Sequence, residues 1–324
     1  MENADLQGVF GVVPTPLKNS GEVDEAGLAH LVRHCRDSGL HAAVILGSNG
    51  EFPYFSFEEK ARILRVAARA AEGGIPLVGC ASAGSTREAV ALARVCLKEG
   101  YAAALSALLL YFQAEFEAVK AHFETLAREG GLPIVFYYFP ETTNLALAPD
   151  EIAEIAELPG IHGAKITVFN RPFIKRIVKL TRTQLWAVFA GSSILLHDTL
   201  KCGGAGCICP LPVIAPKPCL EIFELMKRGK FNQARAVQDK FSGSLPILNG
   251  RDVPAAVNVP YLRATLMKPY AGPPERTVSA VAMVKEALRL LGHPITARVR
   301  APQSQLTAPQ AKLVKRTLKA QGWL

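Results

Sequence analysis

The sequence predicts a (β/α)₈ barrel followed by a C-terminal helical region. Up to about residue 210, short apolar runs alternate with helical patterns. Each run is apolar at successive positions, hence on both faces, as in parallel strands covered by helices. There are eight runs, the number that closes such a barrel. A doubly wound sheet is the main rival, but no Gly-x-Gly-x-x-Gly follows the first strand. The expected division is residues 1–212 for the barrel, which would carry the chemistry, and 213–324 for helices packed on it.

The runs are, in order, 8–13 (GVFGVV), 42–46 (AAVIL), 75–80 (IPLVGC), 102–110 (AAALSALLL), 133–138 (PIVFYY), 161–166 (IHGAKI), 185–190 (LWAVFA) and 205–209 (AGCIC). Apolar residues at i, i+3 and i+4 predict helices over 25–38, 57–71, 86–100 and 114–130. Ser56, Ser85-Thr86 and Pro149-Asp150 supply start signals. After Pro212 the strands stop, and helical patterns occupy about 216–229, 231–245, 255–268, 276–291 and 308–320. The piece 293–305 (HPITARVRAPQSQ) has no periodicity and reads as a linker.

Composition narrows the function classes. Hydrophobic residues make up 49% and charged residues 20%, ordinary values for a globular chain. No apolar run reaches the roughly 18 residues of a membrane span, and the polar start MENADLQG resembles no targeting segment. The expectation is a cytoplasmic protein. Seven cysteines form no zinc-like spacing, so no metal is expected. The net charge of +9 is dispersed, with no run of five basic residues. It favours attraction of small anions over nucleic-acid binding.

In a barrel the chemistry sits where strands end and the following loops begin. Unusual polar residues fall at four such ends: Gly47-Ser48-Asn49-Gly50-Glu51, Tyr137-Tyr138-Phe139-Pro140, Lys165 with Thr167, and Gly191-Ser192-Ser193. The first is readable as a plain tight turn, or as a loop that aims N–H groups and a hydroxyl at an anion. Glu51 is readable as a base, but just after Gly50 it reads rather as a residue that orders this loop or pairs at a helix start. Strand alternation sends one of Tyr137 and Tyr138 into the barrel and the other out. A tyrosine hydroxyl there can serve as general acid and base.

Lys165 stands in an otherwise apolar run, and lysine is among the residues least often buried. On this stretch alone two readings stand: an ammonium snorkelling to solvent, or an amine that attacks a ketone to form a Schiff base. Free lysine is neutral in only about one molecule in a few thousand at pH 7. A nucleophilic amine therefore needs a desolvated site.

Together these pieces resemble the dihydrodipicolinate synthase / N-acetylneuraminate lyase family of class I, Schiff-base aldolases. The matching text comprises Pro14-Thr15-Pro16, GSNGE at 47–51, Tyr137 ahead of Pro140, Gly163-Ala164-Lys165, Ala190-Gly191-Ser192 and GGAGCIC at 203–209. The resemblance spans about residues 7–245. It implies that Lys165 forms the imine with pyruvate or a similar 2-oxo acid and that Tyr137 moves the proton. Gly47, Ser48 and Asn49 would receive the carboxylate, with Ser48 also in the relay. Gly191, Ser192 and Ile208 would line the pocket. Tyr111 falls where the family places a relay tyrosine that reaches a neighbouring subunit's site, although LLLYFQ differs from the family's Pro-Tyr-Tyr-Asn. The resemblance also implies a homodimer or homotetramer and no cofactor, the iminium itself being the electron sink.

One departure narrows the substrate. Dihydrodipicolinate synthases carry an arginine two residues after the proline of the tyrosine motif; here the position is Thr142. A carboxylate of the second substrate would lose a charge-assisted partner. GSNGEFP, Thr167 and the terminal Gly322-Trp323-Leu324 are instead similar to 4-hydroxy-2-oxoglutarate aldolases. The expected activity is cleavage of 4-hydroxy-2-oxoglutarate or a 2-keto-3-deoxy sugar acid, with Thr142, Thr143, Thr167, Ser192 and Ser193 meeting its tail. The alternatives are condensation of pyruvate with aspartate semialdehyde, a sugar-acid dehydratase, and an anion-binding regulatory barrel.

Overall fold

The computed structural model describes residues 6–184, 186–250 and 280–324. Strands β1 (Gly8–Val12), β2 (Ala42–Ile45), β3 (Leu77–Cys80), β4 (Ala103–Ser106), β5 (Ile134–Tyr138), β6 (Ile161–Ile166), β7 (Ala187–Ala190) and β8 (Gly206–Cys209) close into a barrel in chain order. Every neighbouring pair is parallel, including β8 with β1. At that seam Gly8 pairs with Gly206. A Cβ on Gly206, at φ +148°, would lie 1.9 Å from the Gly8 carbonyl oxygen, so only glycine lets the strands meet there.

Alternation along each strand makes two cores. Phe10, Val12, Val44, Val78, Leu105, Val135, Phe189 and Ile208 fill the barrel interior. Their neighbours, among them Val9, Ala43, Ile45, Phe136, Ala164 and Ile166, pack outward under the helices. That is why the runs read as apolar throughout. Burying a side chain of the Phe or Ile kind stabilises by about 1.5–3 kcal/mol.

The barrel helices are α1 (Glu25–Asp37), α2 (Phe57–Ala71), α3 (Thr86–Lys98), α4 (Phe116–Gly130), α5 (Pro149–Ala156), α6 (Arg171–Leu180) and α7 (Leu196–Lys201). Ser56 caps α2 in a reciprocal capping box with Glu59, and the Ser85 hydroxyl accepts the Glu88 N–H at the start of α3. For α5 the cap position is Ala148, one residue earlier than the sequence signal. Its N–H is taken by the Glu151 carboxylate at 2.7 Å, and Asp150 pairs with Arg176 instead. Helix α8 (Pro216–Lys227) lies against β1 and α7 and completes the ring.

Two expectations are corrected. The apolar run 102–110 is not one strand. β4 stops at Ser106, and the rest of the run forms the loop at the mouth, where Leu108 makes a single bridge to Ala83 and Leu110 N–H bonds to Thr143 O at 3.2 Å. Four to six residues complete a barrel strand here; the surplus apolarity serves the loop. The stretch 293–305 is not a free linker. After α9 (Phe231–Phe241) and α10 (Ala280–Leu290), it runs back over the barrel before α11 (Ala308–Gln321). Thr296 bonds Leu17 O at 2.7 Å, and Arg300 N–H bonds Glu51 at 2.6 Å. Its partners are about 250 residues away, so no local period marks it. The expected helix 255–268 lies outside the described residues. Among those described, no helix is long and apolar enough to cross a membrane.

Three histidines tie α1 to the segment after α10. His30 Nε2 lies 3.0 Å from His293 Nδ1, and the His34 and His293 rings meet edge-on at 4.4 Å between centroids. Burial, then repulsion from His34 and His30, pushes His293 down to about 4 from its ordinary 6.5. Burial also lowers His30. Such imidazoles stay neutral in the fold while the unfolded chain takes up protons. Their contribution is complete above the unfolded value near 6.5 and is lost as pH falls toward 4. The thermal unfolding midpoint is therefore expected to drop over pH 6.5 to 4, and less steeply in His293→Gln; calorimetry at half-unit steps checks this.

Candidate active site

Tyr137 and Lys165 are register partners on β5 and β6. Both point into the barrel, because Phe136, Tyr138, Ala164 and Ile166 point out. The Lys165 side chain is enclosed, the residue being 3% exposed, and its Nζ lies 4.1 Å from the centre of the Tyr137 ring. It does not snorkel. Among the described residues no carboxylate pairs with it, although lysines are rarely buried without a counter-ion. Tyr138 turns outward, and its hydroxyl both donates to Leu147 O and accepts from Leu147 N–H at 3.0 Å. That exchange commits Tyr138 to the fold and leaves Tyr137 for chemistry.

The loop after β2 supplies the next groups. Ser48–Gly50 form one 3₁₀ turn, with Gly50 N–H bonded to Gly47 O at 2.8 Å and Glu51 N–H to Ser48 O at 3.1 Å. The N–H groups of Ser48 and Asn49 stand at the head of that turn, outside its bonds. The Ser48 hydroxyl lies 3.1 Å from the Tyr137 hydroxyl, so a proton has a path between them. Among the described residues Asn49 Oδ1 is buried without a partner. Leu46 and Glu51, on either side of the turn, hold φ of +61° and +63°. Left-handed backbone at a non-glycine residue costs on the order of 1–3 kcal/mol and persists only where the surroundings enforce it. Thr15, from the Pro-Thr-Pro text after β1, helps: its hydroxyl donates to Gly50 O at 2.7 Å.

A cavity of about 520 Å³ opens above this pair. Ser48, Tyr137, Phe139, Thr142, Tyr111 and Gln303 are among its walls, and among the described residues no arginine lines it. Tyr111 stands at the rim, 90% exposed and edge-on to Phe112. Ile208 is fully buried in the barrel interior. The five hydroxyls expected to meet a substrate tail are not equivalent. Thr142 and Thr143 donate back to Phe139 O at 3.3 and 2.9 Å. Ser192 accepts the Ile194 N–H at 3.3 Å, and Ser193 bonds Cys209 Sγ at 3.3 Å. Short loops turn their hydroxyls onto their own backbone. Thr167 differs: its Oγ1 is buried and has no partner among the described residues, like Asn49 Oδ1. Sequence reasoning missed Lys285 and Gln303, which reach Glu51 from the C-terminal region; that separation leaves no local signal.

The site therefore offers an enclosed amine against the Tyr137 ring, and a tyrosine–serine proton path that lines a cavity. Comparison with known proteins agrees with this chemistry. The sequence profile of the dihydrodipicolinate synthetase family matches residues 5–271. A 4-hydroxy-tetrahydrodipicolinate synthase of Methanospirillum hungatei is 31% identical over 239 residues, 73% of this chain and 82% of its own. One from Nitrobacter hamburgensis is 28% identical over 98% of both chains. The structure of a dihydrodipicolinate synthase from Acinetobacter baumannii, complexed with pyruvate, superposes with a TM-score of 0.84 at 25% identity over 98% of this chain and all of its own.

Gly191 and Thr167 generate a test of the site's packing. A Cβ on Gly191 would lie 2.0 Å from Thr167 Oγ1 and 2.8 Å from Thr167 Cα, so backbone must move to admit it. Gly191→Ala is expected to destabilise by about 1–3 kcal/mol, the usual effect of overpacking, as measured by denaturant unfolding.

Proposed function

The chain belongs to the dihydrodipicolinate synthetase family and is a Schiff-base-forming class I lyase, and from that premise we propose that it cleaves 4-hydroxy-2-oxo acids to pyruvate and an aldehyde. The observation that supports this most is the buried Lys165 amine, with no counter-ion among the described residues, against the Tyr137 ring. In this reading the amine attacks the C2 ketone, water leaves, and a protonated imine forms. Tyr137 takes the proton of the 4-hydroxyl, relayed through Ser48 at 3.1 Å. The C3–C4 bond breaks, its electrons passing into the enamine and the aldehyde departing. Return of a proton to C3 and hydrolysis release pyruvate and the free amine. Asn49 and the N–H groups of Ser48 and Asn49 receive the carboxylate of the pyruvate half. Gly191 and Ile208 shape the walls, and the Thr167 hydroxyl is the one left to meet the substrate tail.

The finer reading is 4-hydroxy-2-oxoglutarate or a 2-keto-3-deoxy sugar acid as substrate. It is supported by a cavity wall in which Thr142 stands and, among the described residues, no guanidinium is present. The relatives' name favours a second reading, condensation of pyruvate with aspartate semialdehyde. Both share the imine and differ in the second substrate. Incubation with pyruvate and borohydride should add a reduced three-carbon adduct to the peptide bearing Lys165; its absence rules the mechanism out. Tyr137→Phe should still form the adduct while turnover falls by about 10²–10⁴-fold, the range for lost acid–base catalysis. Pyruvate release across a panel of 4-hydroxy-2-oxo acids should exceed aspartate semialdehyde condensation, and the reverse ranking moves the synthase reading to first place.

The same reading places a second copy over the mouth. Tyr111 and Phe112 are 90% and 78% exposed and stack edge-on at 4.9 Å. Two aromatics so exposed beside a site mark a surface that a partner covers. Light scattering at micromolar concentration is expected to give a dimer or tetramer, with Phe112→Glu shifting it toward monomer. A stable, fully active wild-type monomer contradicts this.

A further inference from the structure

Glu51 closes the Ser48–Gly50 turn, yet its side chain is fully buried and does not line the cavity. Its carboxylate is held from the C-terminal region. Lys285 of α10, also fully buried, donates Nζ to Oε1. Arg300 N–H and Gln303 Nε2 donate to Oε2 at 2.6 and 2.7 Å. Lys285 Nζ also donates to Arg298 O at 2.7 Å, which fixes the segment that supplies those donors. The Arg300 guanidinium then reaches Glu59 at 2.6 Å and stands 4.6 Å over the Phe55 ring. One buried carboxylate thus gathers three donors whose chain positions lie more than two hundred residues beyond it.

A fully buried ion pair is a poor stabiliser compared with apolar residues of the same size, and its best-attested use is to fix one arrangement. Here the arrangement it holds is specific. Glu51 keeps a left-handed backbone, and only Gly50 separates it from Asn49. From the other side Thr15 grips Gly50 O. The directions of the Ser48 hydroxyl and the Asn49 amide are set between these two anchors.

We propose that Glu51 and Lys285 are positioning residues, through which the C-terminal segment 285–303 sets the geometry of the loop that receives the carboxylate of the 2-oxo acid. This rests on the aldolase reading above. Released from its donors, Glu51 lets the turn sample other conformations. Affinity for the carboxylate then falls, while Lys165, anchored on β6, keeps its capacity to form the imine.

The test titrates pyruvate in the borohydride reaction and reads adduct on Lys165 by mass. The plateau follows the folded fraction, whereas half-saturation is a property of folded molecules only. Glu51→Gln and Lys285→Met should raise half-saturating pyruvate by about ten- to hundredfold, the scale of a misplaced binding group. Either variant strands a polar partner, so the apolar pair Glu51→Met/Lys285→Met is measured beside them with its thermal midpoint. It should recover midpoint lost by the single variants and still require the raised pyruvate concentration. If it recovers wild-type half-saturation, or if a single variant never loses it, the pair only stabilises the fold and the proposal fails. If wild-type protein forms no adduct at any pyruvate concentration, the imine reading itself is overturned, and the clamp with it.

Discussion

An amine enclosed in an apolar barrel, with no counter-ion among the described residues, is the constraint that the rest of the site answers to. Desolvating an ammonium costs several kcal/mol, roughly, even after relaxation, and among the described residues no ion pair offsets it. Lys165 sits near the C-terminal end of β6, the end at which barrel chemistry is carried out. Its place is fixed by alternation alone: Ala164 and Ile166 must face the helices, so Lys165 must face inward. The register of β5 then sets Tyr137 directly beside it. Nucleophile and proton carrier come from two adjacent strands whose spacing cannot drift, since a slip of one residue would turn both cores inside out.

Loops have no such spacing, and the Gly47–Glu51 loop needs other means. Its two flanking residues hold left-handed backbone, which unaided would relax. Thr15 holds it from β1's side and Lys285, Arg300 and Gln303 from the C-terminal side. The division of labour is physical. The barrel sets the groups that make and break bonds, and long-range polar contacts set those that receive the substrate's charge.

The same division explains what was legible in the sequence. The eight strands, the two-sided apolarity, and the inward and outward tyrosines follow from a period of two, which any local window contains. The 3.6 period likewise gives α2 to the residue. Lys165, Tyr137, Ser48 and Asn49 were legible because a polar residue at the end of an apolar run stands out. Position alone makes Thr142, Ser192 and Ser193 look tail-binding, but in the fold Thr142 and Ser192 turn to nearby backbone and Ser193 to the Cys209 thiol. The strap from His293 to Gln305 reads as a linker because its order comes from partners far along the chain. Loop ordering is one of the readings that Glu51 allows; that its partner is a lysine in α10 has no local trace.

The site's chemistry follows from which polar atoms remain after the fold has satisfied the others. Thr142, Thr143, Ser192 and Ser193 are engaged, whereas among the described residues Asn49 Oδ1 and Thr167 Oγ1 are buried without a partner. Leaving a buried polar atom unsatisfied costs about 1–3 kcal/mol, so an occupant that pairs with it recovers that amount as binding energy. The two atoms ask for different partners. Asn49 Oδ1 only accepts and is met by a hydroxyl or a water, whereas Thr167 Oγ1 can donate or accept. The carboxylate of a 2-oxo acid, itself an acceptor, therefore falls to the N–H donors of the loop after β2, and the Thr167 hydroxyl can meet either a hydroxyl or a carboxylate of the tail.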